Sequence, residues 1–225
     1  MTAKHTAAFV RAEGVLVQNG VLHAALFMAG QRAGMRERAL RFGQALASAP
    51  LFGLLGQNDR TLGNRLAHLC YRDMSEDRIV VLAEEYVEDV LEDKVLQSGV
   101  ELLRKAKADG HRVVVISEGV HEIMSRLASS FRHVDDLVCN RLEYREGKAT
   151  GKLLDPVIGG FEGGRWLQQY AREHDIDLAR SFAYAGHGPD LLLLGAVGFP
   201  CAVNPDFTLR KAAREAEWPV MDYRA

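Results

Sequence analysis

Residues 110–119 read Gly110-His111-Arg112-Val113-Val114-Val115-Ile116-Ser117-Glu118-Gly119. Four β-branched residues in a row, without polar alternation, suit a strand covered on both faces, as in a parallel sheet between two helix layers. Just upstream, Val100–Ala108 carries an amphipathic helical pattern that stops at Asp109-Gly110 and hands the chain to the strand. A helix delivering straight into an apolar strand is the repeating unit of α/β proteins.

Working outward, three more β-rich runs stand out, Ala7–Val10, Phe182–Ala185 and Pro200–Asn204, alongside the run Val113–Ser117. Amphipathic helices are expected at His121–Phe131, Arg165–His174 and Thr208–Ala216. Strands alternating with helices predict a three-layer, Rossmann-like parallel sheet with right-handed crossovers. Two segments depart from the alternation. Leu142–Leu153 reads as a β-hairpin turning at Arg145-Glu146-Gly147-Lys148. Residues 23–94 hold only helical patterns, about four helices, including the acidic Ser75–Asp93. The expected organisation is an α/β core of residues 1–22 and 95–225, interrupted by a helical cap of residues 23–94. There is no internal repeat, low-complexity stretch or Pro- or Ser-rich linker.

Composition narrows the function class. The chain has 225 residues, 48% hydrophobic and 26% charged, enough to bury a core without staples. A net charge of −2 gives no basic field for nucleic acid or an anionic membrane. Cys70, Cys139 and Cys201 are odd in number and far apart, which reads as three reduced, buried thiols of a cytoplasmic protein. The N-terminus leads into a strand, not a signal peptide. The apolar stretches Val21–Ala29 and Ala49–Leu55 are too short to span a bilayer.

In open α/β sheets ligands collect at the carboxyl ends of the strands. The candidate segments are therefore Ala8-Phe9-Val10-Arg11-Ala12-Glu13-Gly14-Val15-Leu16, Ser117-Glu118-Gly119 and Tyr184-Ala185-Gly186-His187-Gly188-Pro189-Asp190-Leu191. This layout resembles the haloacid dehalogenase superfamily, in its phosphoserine-phosphatase-like branch with a helical cap after the first strand. The resemblance runs over nearly the whole chain. It is most specific in Val197-Gly198-Phe199-Pro200-Cys201-Ala202-Val203-Asn204-Pro205-Asp206 and Trp218-Pro219-Val220, and Gly110-His111-Arg112-Val113 fits equally well.

That resemblance implies a set of groups. An Asp at the end of the first strand attacks phosphorus, and a second Asp two residues on serves as acid and base. A Ser or Thr after the second strand and a Lys before the fourth hold the phosphate. Carboxylates after the fourth strand join the nucleophile in binding Mg²⁺. In this sequence the nucleophile position is Arg11, a guanidinium that cannot attack phosphorus. The acid/base position is Glu13, the hydroxyl is Ser117, and the lysine position falls on Gly164 or Arg165. Gly186 and Asp190 stand for the acidic pair, with His187 where a small hydroxyl residue is usual. Glu13 and Asp190 against Arg11 leave one net negative charge for a cation, so both are weak metal candidates and Mg²⁺ is expected only if the chain is active.

Plainer readings stand beside these. Arg11 is also readable as a surface arginine, Glu13 as a solvated loop carboxylate, and Ser117 and Asp190 as helix N-caps. His187 is readable as an ordinary loop histidine, Ser75–Asp93 as a solvated face or a partner surface, and Gly159–Gly164 as a flexible loop. The leading expectation is a phosphatase homologue with a dismantled site, a binding or regulatory protein. It would hold a small anion through Arg11, Ser117, Arg165 and His187, or engage a protein partner with its exterior. The rivals are an active hydrolase of a small phosphorylated metabolite, using Glu13 or Asp190 with His187 as base, and a purely structural partner of another enzyme.

Overall fold

A computed structural model describes residues 5–53, 60–159 and 162–223, the side chains of 53 and 162–165 excepted. Six parallel strands form one sheet: β1 (Ala7–Arg11), β2 (Arg112–Val120), β3 (Asp136–Asn140), β6 (Phe182–Ala185), β7 (Phe199–Val203) and β8 (Val220–Met221), in the order β3-β2-β1-β6-β7-β8. All five residues of β1 are buried because β2 and β6 flank it and helices cover both faces. This is the three-layer α/β sheet expected from the sequence.

The sheet's alternation sorts its side chains into two cores. On one face Phe9, Val114, Ile116 and the small residues Ala183, Ala185 and Ala202 pack against α7 (Glu162–Glu173), α8 (Leu191–Leu194) and α9 (Phe207–Glu215). Three alanines there let the helices approach closely. On the other face Ala8, Val10, Val113 and Val115 meet α5 (Gln97–Ala108) and α6 (His121–Ser130) and run into the interior of the segment between β1 and β2. That segment carries α1 (Val21–Gly30), α2 (Met35–Gly53), α3 (Thr61–Ala67) and α4 (Glu76–Tyr86), with Tyr71, Leu82 and Tyr86 buried inside it. The insert leaves and rejoins the core side by side, where Gln18 N donates to Lys94 O (3.0 Å) and Leu96 N to Leu16 O (2.8 Å).

Several elements differ in detail from the sequence expectation. Strands β3 and β8 did not stand out as runs, because β3 is a half-buried edge strand framed by Asp136 and Asn140 and β8 is two residues after Pro219. Strand β2 runs on through Ser117-Glu118-Gly119 to Val120, with an irregularity against β3 between Ile116 and Val120. The acidic helix is regular only to Tyr86, with Ser75 capping it through Arg78 N, and then loosens into a π turn and a 3₁₀ turn. The helix that follows Asp190 is short and ends at Leu194. Of the three free cysteines Cys139 is only half-buried, while Cys70 and Cys201 are buried.

The hairpin of β4 (Leu142–Arg145) and β5 (Lys148–Leu153) turns at Glu146 and Gly147, both at positive φ, as its sequence signals. Its outer strand is bonded to the insert, with Asp73 N donating to Ala149 O and Ala149 N to Met74 O, each at 2.8 Å. Among the described residues no helix is long and apolar enough to cross a membrane.

Candidate functional site

Adjacent strands β2, β1 and β6 end together, and their carboxyl ends bring the expected residues to one place. Arg11 closes β1, Glu13 follows in the next turn, Ser117 and Glu118 lie on β2, and Asp190 closes a short 3₁₀ turn after β6. None of these five side chains belongs to a residue more than 6% exposed. Burying so many charges is tolerable only where each finds a partner.

The partners converge on Arg11. Its Nη2 donates to Glu118 Oε1 at 2.6 Å and lies 3.7 Å from Glu13 Oε2, and its Nε stands 3.0 Å from Asp190 Oδ1. The Asp190 approach is an ion contact without hydrogen-bond direction, since Arg11 Nε has no hydrogen-bond partner, and Asp190 Oδ2 is left without one too. Burial works against the Arg11 charge, but Asp190, Glu13 and Glu118 outweigh it and raise its pKa further. Asp190 is also shifted up, by burial first, and Arg11 and Arg60 do not fully offset this. The two shifts fit one picture: the guanidinium stays charged, and the acid is the member that takes up a proton first.

Glu13 is fixed from the β2 side. Ser117 Oγ donates to Glu13 Oε1 at 2.5 Å, Glu118 N donates to the same oxygen at 3.0 Å, and Ser117 Oγ accepts from Gly119 N at 2.9 Å. The polar atoms of Arg11 and Ser117, expected to face an anion, are thus turned toward the protein's own carboxylates. Ser117 is no helix cap, since α6 starts after Val120, and Asp190 makes no capping bond to α8. Nor is Arg11 a surface arginine, or Glu13 a solvated one.

His187 packs against the turn at Gly14, whose φ of +80° and lack of a Cβ (2.9 Å from His187 Cε1 if one were present) both require glycine. Burial first, and then Arg60, push the His187 pKa down against the pull of Glu118, which favours the neutral ring. Gly164 and Arg165 lie in the first turn of α7, where the Arg165 side chain is outside the described residues. Of the glycine loop, Gly160 and Phe161 are also outside them, whereas Gly159 is a close contact, not a free loop. A Cβ there would sit 2.9 Å from both Asn64 Nδ2 and Thr61 N.

Three residues of the site carried no motif. Glu118 was in view beside Ser117, but a glutamate at a strand end signals solvent unless a buried cation is known to wait for it. Arg60 and Asn64 come from the insert: Asn64 Nδ2 donates to Glu118 Oε2 at 3.2 Å, and Arg60 Nη1 lies 3.8 Å from Glu118 Oε1. Nothing in the pattern around Thr61–Ala67 marks them out.

The sequence model of the haloacid dehalogenase-like hydrolase family matches residues 16–194, starting downstream of Arg11 and Glu13. Phosphoserine phosphatase SerB1 of Mycobacterium tuberculosis is 27% identical over 219 residues, 97% of this chain and 71% of that protein. A protein of unknown function from Bordetella pertussis Tohama I has the same fold, with a TM-score of 0.82 at 22% identity over 98% of this chain and 99% of its own. The phospho-aspartyl intermediate analogue of a phosphoserine phosphatase matches with a TM-score of 0.72 at 17% identity, over 99% and 95% of the two chains. The chain belongs to the haloacid dehalogenase-like hydrolase family.

Proposed function

We propose that this family member is a non-catalytic binding or regulatory protein that does not hydrolyse phosphate monoesters by the family's covalent route. One observation carries the reading: at the end of β1, where the family resemblance puts a nucleophilic aspartate, the Arg11 guanidinium is ringed by Glu13, Glu118 and Asp190. A guanidinium supplies neither a nucleophilic oxygen nor a metal ligand.

The same residues do not suit Mg²⁺. That ion demands a near-octahedral shell of oxygens, and unpartnered oxygens do exist at Glu13 Oε2 and Asp190 Oδ2. Yet a fixed positive charge lies within 3.7 Å of both acids. Among the described residues no three His, Cys, Asp or Glu side chains are grouped to hold a metal. A small anion fares no better in the cleft, since Arg11 and Ser117 are engaged and burial disfavours a charged His187. This favours the exterior as the working surface, toward a protein partner.

The rival is a hydrolase using Glu13 or Asp190 with His187 as base. It draws support from a raised acid beside a neutral histidine whose Nδ1 has no partner. The loss of both nucleophile and cation site weighs more. The test is phosphate release from phosphoserine and an aryl phosphate by the purified chain with Mg²⁺. The expected result is no turnover above background; a rate of about 1 s⁻¹ or more, ordinary for an enzyme, overturns the reading.

A further inference from the structure

Resting on that reading, we propose that Glu118 is a latch that keeps the helical insert closed over the strand ends, so that the interior cleft is not a ligand site. Glu118 belongs to the core. Its backbone is fixed on β2, where its carbonyl accepts from Asn140 Nδ2 at 2.7 Å, and its Oε1 takes Arg11. Its other oxygen belongs to the insert, through Asn64 of α3. One buried carboxylate therefore draws its hydrogen bonds from both parts of the molecule, at a point where Glu118 is 2% and Asn64 0% exposed.

The bonds around it reinforce the closure. Asn64 Nδ2 also donates to Ile158 O at 3.1 Å, and Arg60 N donates to Gly159 O at 2.6 Å. His68 carries the link to the end of α3, its Nδ1 lying 2.6 Å from Asn64 O. Lifting the insert would break the bonds to Glu118, Ile158 and Gly159 in one movement and strip Glu118 Oε2 of its donor, and charge-assisted hydrogen bonds are the strong kind. An enzyme cap must open in each cycle to admit substrate, and a carboxylate tied to both sides works against opening. The cavity beside the cluster, about 340 Å³ and lined by Gly14, Gln18, Leu96, His187 and Asn204, is not lined by Arg11 or Glu118.

Amide hydrogen exchange of the full chain, wild type against Asn64→Ala, reads the latch directly. The substitution removes the insert's hydrogen bond to Glu118 and leaves the Arg11–Glu118 pair intact. Amides of residues 61–71 and 157–159 should exchange about tenfold faster or more, while those of β1 and the start of β2 stay unchanged, a local opening. Arg60→Met, which keeps Asn64, should produce a smaller increase in the same segments and serves if Asn64→Ala does not fold. No change in those segments, or an increase shared equally by β1 and β2, overturns the latch. Neither result bears on the turnover assay, which tests the functional reading by itself.

Discussion

At the carboxyl edge of β1 and β2 the side chains are charged and buried, whereas on one face of β6 and β7 they are apolar and partly in solvent. The charged edge holds Arg11, Glu13, Glu118 and Asp190 with almost no exposure. The apolar face has Phe182 stacked on Phe199 at 4.8 Å and leaves Phe199 51% exposed. Phe182, Tyr184 and Met221 line two adjoining cavities there of about 480 and 450 Å³. The opposite face of the same strands is sealed by α7, α8 and α9 against Ala183, Ala185 and Ala202. Burial here follows partnering, not polarity. The acids are inside because a guanidinium and the insert's donors meet them, and Phe182, Tyr184 and Phe199 keep part of their surface open because, among the described residues, only α5 lies against that face.

The contrast can be broken by substitution. Arg11→Met removes the cation from three buried carboxylates and should cost about 3–5 kcal/mol in urea unfolding, the penalty for orphaning buried charge. Phe199→Ser on the open face should cost only about 1–2 kcal/mol, since half of the ring is already in solvent and what is lost is its stacking on Phe182. Equal costs at the two positions would erase the distinction.

A smaller effect comes from pH. His68, buried in the insert next to α3, has its pKa lowered to about 4 by burial, which its bond to Asn64 O only partly offsets. Its folded pKa lies below the ordinary value of 6.5, so the unfolded chain binds the proton more readily. The contribution is therefore complete above pH 6.5 and is lost as pH falls from 6.5 toward 4, about 3 kcal/mol in all at 1.36 kcal/mol per unit. Unfolding free energies across that window should fall less steeply for His68→Gln than for wild type. Parallel curves would show that His68 does not carry the slope.

The sequence made the sheet legible because Val113–Ile116 has only one comfortable environment, and the helix stop at Asp109-Gly110 fixed its direction. Arg11, Glu13, Ser117 and Asp190 could be placed together because each follows a strand, and parallel strands end on one edge. Glu118, Arg60 and Asn64 were not legible for a physical reason. Their roles come from contacts made far along the chain, 54 residues apart for Asn64 and Glu118 and 107 for Arg11 and Glu118. Neither periodicity nor turn chemistry encodes such a contact. The partly uncovered face of β6 and β7 was hidden likewise, since nothing in the run Phe182–Ala185 or in Phe199 says which layer lies above them.

The central claim is that Arg11 occupies the place of both nucleophile and cation. Thermal unfolding of wild type and Arg11→Asp, each with and without Mg²⁺, tests it most directly, because an ion that binds the native state raises its melting temperature by mass action. Wild type should melt at the same temperature in both conditions. Arg11→Asp, with four acids crowded together, should melt lower without the ion and recover part of the loss when Mg²⁺ is added. Stabilisation of wild type by Mg²⁺ equal to or greater than that of the variant would contradict the account.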